Sequence, residues 1–162
     1  MKEIFDKRHP VTSFFLLVTG LVFLLMLITT GINFDQVKSL FQFGAMYGPI
    51  IRLFPEQLWR LFSAIFVHIG WEHFIVNMLS LYFLGGQVEE IFGSKQFFFL
   101  YLLSGMMGNL FVFAFTPKVL AAGASTSLYG LFAAIIVLRY ATRSPYIQQL
   151  GQSYLTLFVI NI

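Results

Sequence analysis

The chain has 162 residues, 58% of them hydrophobic and only 10% charged, with a mean hydropathy of +0.81. A soluble domain carries roughly 45–50% apolar and about 25% charged residues, so the composition excludes a water-soluble globule and indicates an all-α, polytopic transmembrane helix bundle. The net charge of +3 is too small and scattered for a nucleic-acid footprint, and zero cysteines exclude disulfides, thiolate metal sites and a cysteine nucleophile.

Lys2, Lys7 and Arg8 precede a long apolar run, which resembles the start of a signal peptide. The run itself, residues 11–30, is long enough to cross about 30 Å of hydrocarbon and lacks a small-x-small cleavage site, so it reads as a retained first helix. Gly31, Asn33 and Asp35 end it. Residues 32–60 are too polar and too interrupted by glycine and proline to span. They still hold Phe41, Phe43, Met46, Tyr47, Leu53, Phe54 and Trp59, which predicts a membrane-embedded loop lying along the interface. Residues 61–69 are apolar, with a break at Gly70.

A second helix is expected over residues 71–88, with Gly85-Gly86 and Glu89/Glu90 at its end. A third covers residues 96–115 and stops at Thr116-Pro117-Lys118. A fourth runs over residues 123–140, and an apolar segment over 154–162 reads as the start of a fifth. About nine residues cannot cross a bilayer, so the expectation is a single domain, C-terminally incomplete. Six basic residues (Lys2, Lys7, Arg8, Lys95, Arg139, Arg143) fall on one side of this topology and four on the other. That bias predicts a cytoplasmic N-terminus in a multi-pass protein of the plasma membrane.

The topology places His73 and Asn77, one helical turn apart on the second helix, at the same depth as Ser125 at the start of the fourth. Any one of them alone has a bland explanation. A lone serine in a membrane helix usually bonds back to a carbonyl one turn earlier, and a lone His or Asn at a helix mouth usually makes an interhelical bond. Polar groups inside a membrane are costly unless paired or facing a wet cavity, and a shared cavity accounts for all three. Gly123, Ser127, Gly130 and Ala134 give the fourth helix a small face for close approach. Tyr129 lies one turn beyond Ser125, and the first N–H groups of that helix are donors for a developing oxyanion.

Trp59-Arg60, the His68 to Asn77 segment, Leu84-Gly85-Gly86 with Glu89, Gly123-Ala124-Ser125 and Tyr129 occur in an order and spacing that resemble the rhomboid family of intramembrane serine proteases. The resemblance implies a six-helix core and hydrolysis of transmembrane segments through an acyl-enzyme on Ser125. It assigns oxyanion stabilisation to His73 and Asn77 with the Ser125 N–H, and packing on the catalytic imidazole to Tyr129. Trp59-Arg60 would stabilise the loop, and Gly85, Gly86 and Glu89 would be structural. The implied partners are membrane lipid and substrate transmembrane helices, with no metal or organic cofactor.

Two departures stand out. Thr126 replaces the family's glycine after the serine, and the general-base histidine that rhomboids carry on a sixth helix has no counterpart, since no histidine follows His73. His9 falls at the other end of the bundle. Without a base the chain alone is expected to be inactive. Three rival readings compete with this one. A zinc site at His68, Glu72 and His73 has its histidines five residues apart, rather than the four of His-Glu-x-x-His. A non-proteolytic rhomboid-like binder of transmembrane segments would not need the oxyanion donors. A transporter would want an inverted repeat.

Overall fold

The structure, a computed structural model, describes residues 8–160. The reading of residues 1–7, and the last two residues of the expected fifth helix, lie outside the described residues. Helix α1 (Pro10–Thr30) opens with proline in its first turn, where the missing N–H has no helical partner to lose. It continues through a 3₁₀ turn, Gly31–Asn33.

The loop that follows is built from short pieces: α2 (Val37–Gln42), β1 (Met46–Tyr47), α3 (Gly48–Leu53), a 3₁₀ turn (Pro55–Trp59) and α4 (Arg60–Ser63). The second rod consists of α5 (Gly70–Ser80), a π-turn (Leu81–Gly85) and α6 (Gly86–Phe92), continuous over about 34 Å at 1.5 Å per residue. Gly93, at φ 83, turns the chain into α7 (Ser94–Phe115). A two-residue strand β2 (Leu120–Ala121) leads to α8 (Ser125–Ala141), and α9 (Pro145–Ile160) follows.

Pro10–Asn33 and Ser94–Phe115 are each long and apolar enough to cross a bilayer, and Ser125–Ala141 is a shorter apolar helix. Large apolar side chains also cover the outside of the rods, among them Leu21, Leu25, Val76, Phe83, Leu103 and Phe111, all exposed. Such a surface is a liability in water and suits a lipid solvent. There, helices associate through close packing and polar bonds rather than through expulsion of water. The interior centres on Phe15, stacked on Tyr101 at 4.2 Å, with Phe97, Leu81, Leu131 and Ile135 around it.

Small residues set the α7–α8 contact. Ser127 sits against Gly105, Ser104 against Gly130, and Thr126 against Gly108, where an added Cβ would lie 2.7 Å from the threonine Cβ.

The two ends of the bundle are tied differently. At one end the carboxylate of Glu89 accepts four bonds: from the N–H groups of Val11 (3.0 Å) and Thr12 (2.8 Å), and from the hydroxyls of Thr12 (2.8 Å) and Ser94 (2.7 Å). One side chain on α6 thus fixes the starts of α1 and α7. His9 lies over Gly86 and 3.9 Å from Glu90, so it stands at this end, as the topology predicts.

At the other end the loop is ordered by Arg60, 6% exposed. Its guanidinium donates to Gln57 Oε1 and to the carbonyls of Phe41 (2.6 Å) and Ala45 (3.1 Å), and stacks on the Phe41 and Trp59 rings. Asn109 on α7 donates to the Leu61 carbonyl at 2.8 Å. Antiparallel pairing of Met46 with Ala121 and Tyr47 with Leu120 then joins the loop to the segment before α8.

Several element boundaries differ from the expectations. The second rod runs through Gly85-Gly86 to Phe92, because Gly85 is packed against Thr12 and Leu81 inside a continuous helix and does not end one. The fourth helix starts at Ser125, two residues later than expected, since Gly123 has φ 134 and cannot be helical. The fifth starts at Pro145, nine residues earlier. Its first half is amphipathic: Gln148, Gln149 and Gln152 are exposed while Leu150, Gly151 and Tyr154 turn inward, a pattern an apolar-run search overlooks.

Candidate active site

Residues 64–68, all buried, form a strap that passes under the start of α8. The Gly123 N–H donates to the Ala64 carbonyl at 2.8 Å, and the Ala124 N–H donates to His68 Nε2 at 3.3 Å. Leu128 N–H closes the first helical turn on the Ala124 carbonyl at 3.0 Å. The N–H groups of Ser125, Thr126 and Ser127 are left with no acceptor among the described residues. Helices leave their first N–H groups open in this way, and here they open beside a hydroxyl.

His73 comes to this point from α5. Its ring lies against Gly123, where a Cβ would stand 2.5 Å from His73 Cε1. Glycine is therefore required twice over, by φ 134 and by the imidazole. Asn77, one turn along and 4% exposed, donates from Nδ2 to the His73 carbonyl at 2.8 Å, while its Oδ1 is buried without a partner. Of the predicted residues, His73 lies against Gly123, two residues before Ser125, and Asn77 is bonded to the His73 carbonyl one turn along α5. Tyr129 lies one turn down α8 with 61% of its surface exposed.

Thr126, the residue that departs from the family's glycine, directs its side chain at Gly108 of α7, where the missing Cβ leaves room for it.

Sequence reasoning misses His68 as part of the site: it enters there only within the His68 to Asn77 segment and as a candidate zinc ligand. Both of its ring nitrogens are engaged within the protein, Nδ1 with the Phe66 carbonyl at 3.3 Å and Nε2 with Ala124 N–H. Its ring centroid lies 5.3 Å from that of His73. Burial pushes its pKa down to about 4; the Phe66 carbonyl opposes the shift and His73 adds to it. The sequence signal was the pair of histidines flanking Gly70, a residue that takes φ 77 and turns the strap into α5.

Comparison with known proteins identifies the family. The Rhomboid domain family model matches residues 55–162. Rhomboid protease GluP of Bacillus subtilis is 30% identical over 160 residues, covering 98% of this chain and 31% of that protein. RHOMBOID-like protein 1 of Arabidopsis thaliana is 34% identical over 107 residues, 66% of this chain and 28% of that protein. Inactive RHOMBOID-like protein 8 of the same plant is 31% identical over 81 residues, 50% of this chain and 23% of that protein. The chain therefore spans about a third or less of the length of these relatives. The family match runs from the Arg60 loop through the His68 strap and the His73–Asn77 helix to Ser125 and beyond: the chain belongs to the rhomboid family.

Proposed function

We propose that this domain carries the nucleophile and oxyanion site of an intramembrane serine endopeptidase. The observation that carries the reading is the contact of the α5 imidazole with Gly123, in the turn that leads into Ser125, beside three N–H groups without acceptors among the described residues. Ser125 Oγ attacks a carbonyl carbon of a locally unwound substrate helix while a general base takes its proton. The tetrahedral oxyanion receives hydrogen bonds from the Ser125 N–H, from His73 and from the second Asn77 N–H. Collapse forms the acyl-enzyme, the amine leaves with the proton returned by the base, and water hydrolyses the ester by the same route.

The histidines of this chain are His9, His68 and His73. His9 stands at the Glu89 end, and the other two are bound into the oxyanion side. In this reading the base is the sixth-helix histidine that the rhomboid resemblance implies, and it would pack on the exposed Tyr129 ring. The N-terminus is cytoplasmic in this reading, and water enters from the opposite face. Substrate helices with small or helix-breaking residues near their outer ends would unwind most readily.

A second reading, a non-proteolytic rhomboid-like protein that binds transmembrane segments, draws support from the inactive plant relative. A fluorophosphonate probe separates the two. The full-length protein should be labelled and Ser125→Ala should not; equal labelling of both removes the nucleophile assignment. The 162-residue chain alone should cleave no substrate, and cleavage by it would refute the assignment of the base elsewhere.

A further inference from the structure

His68 is fully buried, yet it is not held as an apolar ring would be. A backbone carbonyl can only accept, so the nitrogen facing Phe66 O must carry the proton; a backbone N–H can only donate, so the nitrogen facing Ala124 must present its lone pair. Only the neutral Nδ1–H tautomer satisfies both contacts. The Nε2–H tautomer sets two donors against each other at Ala124, and so does the imidazolium. A fixed tautomer is a demand that space filling does not make.

The tether falls on the residue before Ser125. With Gly123 N–H on the Ala64 carbonyl and Ala124 N–H on His68, the strap consumes the two N–H groups that precede the serine, and those of Ser125, Thr126 and Ser127 have no acceptor among the described residues. Ala124 is itself fully buried, so without His68 its N–H would have no water to turn to. The turn would then be free to rotate and satisfy that donor elsewhere, which carries the Ser125 N–H away from its aim. The His73 ring lies against Gly123 and its centroid is 5.3 Å from that of His68, so neighbouring imidazoles contact consecutive residues of the turn.

We propose that His68 is a positioning residue of the rhomboid site: its Nδ1–H tautomer holds the Ala124 N–H and thereby fixes the backbone that presents Ser125 and its oxyanion-binding N–H. This rests on the reading of Ser125 as nucleophile. The role belongs to the acceptor atom, so glutamine, whose side-chain oxygen reaches about as far as Nε2, should replace histidine, and leucine should not.

The test uses the full-length protein in detergent or bilayers, well below the melting temperature of each variant. Fluorophosphonate labelling of Ser125 should slow at least about tenfold in His68→Leu and stay within about threefold of wild type in His68→Gln. A loss of folding alone would lower the fraction labelled and leave the rate of the folded fraction unchanged. Independently, ¹⁵N-histidine spectra of the unmutated protein should show His68 protonated at Nδ1, with the bare Nε2 correlated to the Ala124 amide proton. That measurement needs no variant to fold.

Labelling that depends on Ser125 and proceeds at the wild-type rate in His68→Leu overturns the positioning role alone, as does an Nε2-protonated ring. Wild-type protein that shows no Ser125-dependent labelling overturns the nucleophile reading and the positioning role with it, while the spectra still report whether the tether exists.

Discussion

At the scale of single residues, the site depends on a histidine that must stay neutral. Unfolded, the His68 ring titrates at its ordinary 6.5; folded, burial holds it near 4, and the nearest titratable group facing it, His73, pushes the same way. Between those values the unfolded chain binds the extra proton, so stability must fall with pH across this window. It should be flat above about pH 7, decline as the pH drops through 6.5, and level off below 4, for a total of roughly 3 kcal/mol from this ring. Unfolding curves of wild type and His68→Gln in the same micelles, taken from pH 7.5 to 4, should diverge over that interval, with the glutamine variant the flatter. Parallel curves would mean that the ring is hydrated in the folded protein. Ser125, His73 and Asn77 stand out in the sequence because spacing and topology predict one depth for them, and the contact of His73 with Gly123 accords with that expectation. His68 was not, because its role depends on a strap with no helical or strand period to announce it.

Between elements, the α7–α8 contact explains how the domain tolerates Thr126. Gly108→Ala drives a methyl into the threonine Cβ, and overpacking of this kind costs about 1–3 kcal/mol. Gly108→Ala combined with Thr126→Gly should recover most of that loss, because the two changes act on one volume; the coupling in a double-mutant cycle should exceed about 1 kcal/mol. Gly20→Ala in α1, where nothing lies within 4 Å of an added Cβ, is the control and should be neutral or slightly stabilising. Additive losses in the double variant would break the proposed complementarity.

The sequence displayed only one side of this contact, the small face of α8. The partner glycine lies in the middle of α7 beside Ser104, Gly105 and Asn109, a short small and polar stripe that is easily passed over when the segment is read only as an apolar span. The same blindness hid the β1–β2 pair and the polar first half of α9: two-residue strands have no period, and glutamines in a membrane helix resemble a loop. Long apolar rods were legible because twenty lipid-compatible residues have few other uses.

Across the whole molecule, the two tied ends divide the labour. Glu89 holds α1, α6 and α7 together far from the serine. Arg60 orders the loop whose strand β1 pairs with β2, three residues before Ala124. Removing either charge leaves buried bonding groups without partners, so both losses are costly. They should be costly in different measurements.

Glu89→Ala strands four donors and should lower unfolding stability by at least about 3 kcal/mol, while the folded fraction still labels at Ser125 near the wild-type rate. Arg60→Ala frees the carbonyls of Phe41 and Ala45 and so loosens β1, then β2, then the Gly123-Ala124 turn. Its folded fraction should label about tenfold more slowly, equivalent to roughly 1.4 kcal/mol of lost alignment. Comparing the two variants at temperatures where equal fractions are folded separates the effects. If both label at the wild-type rate under those conditions, the loop is only a support for the bundle. If Arg60→Ala alone is slow, the loop reaches the nucleophile through its two-residue strand, and the order of the site is set from outside the helices that carry it.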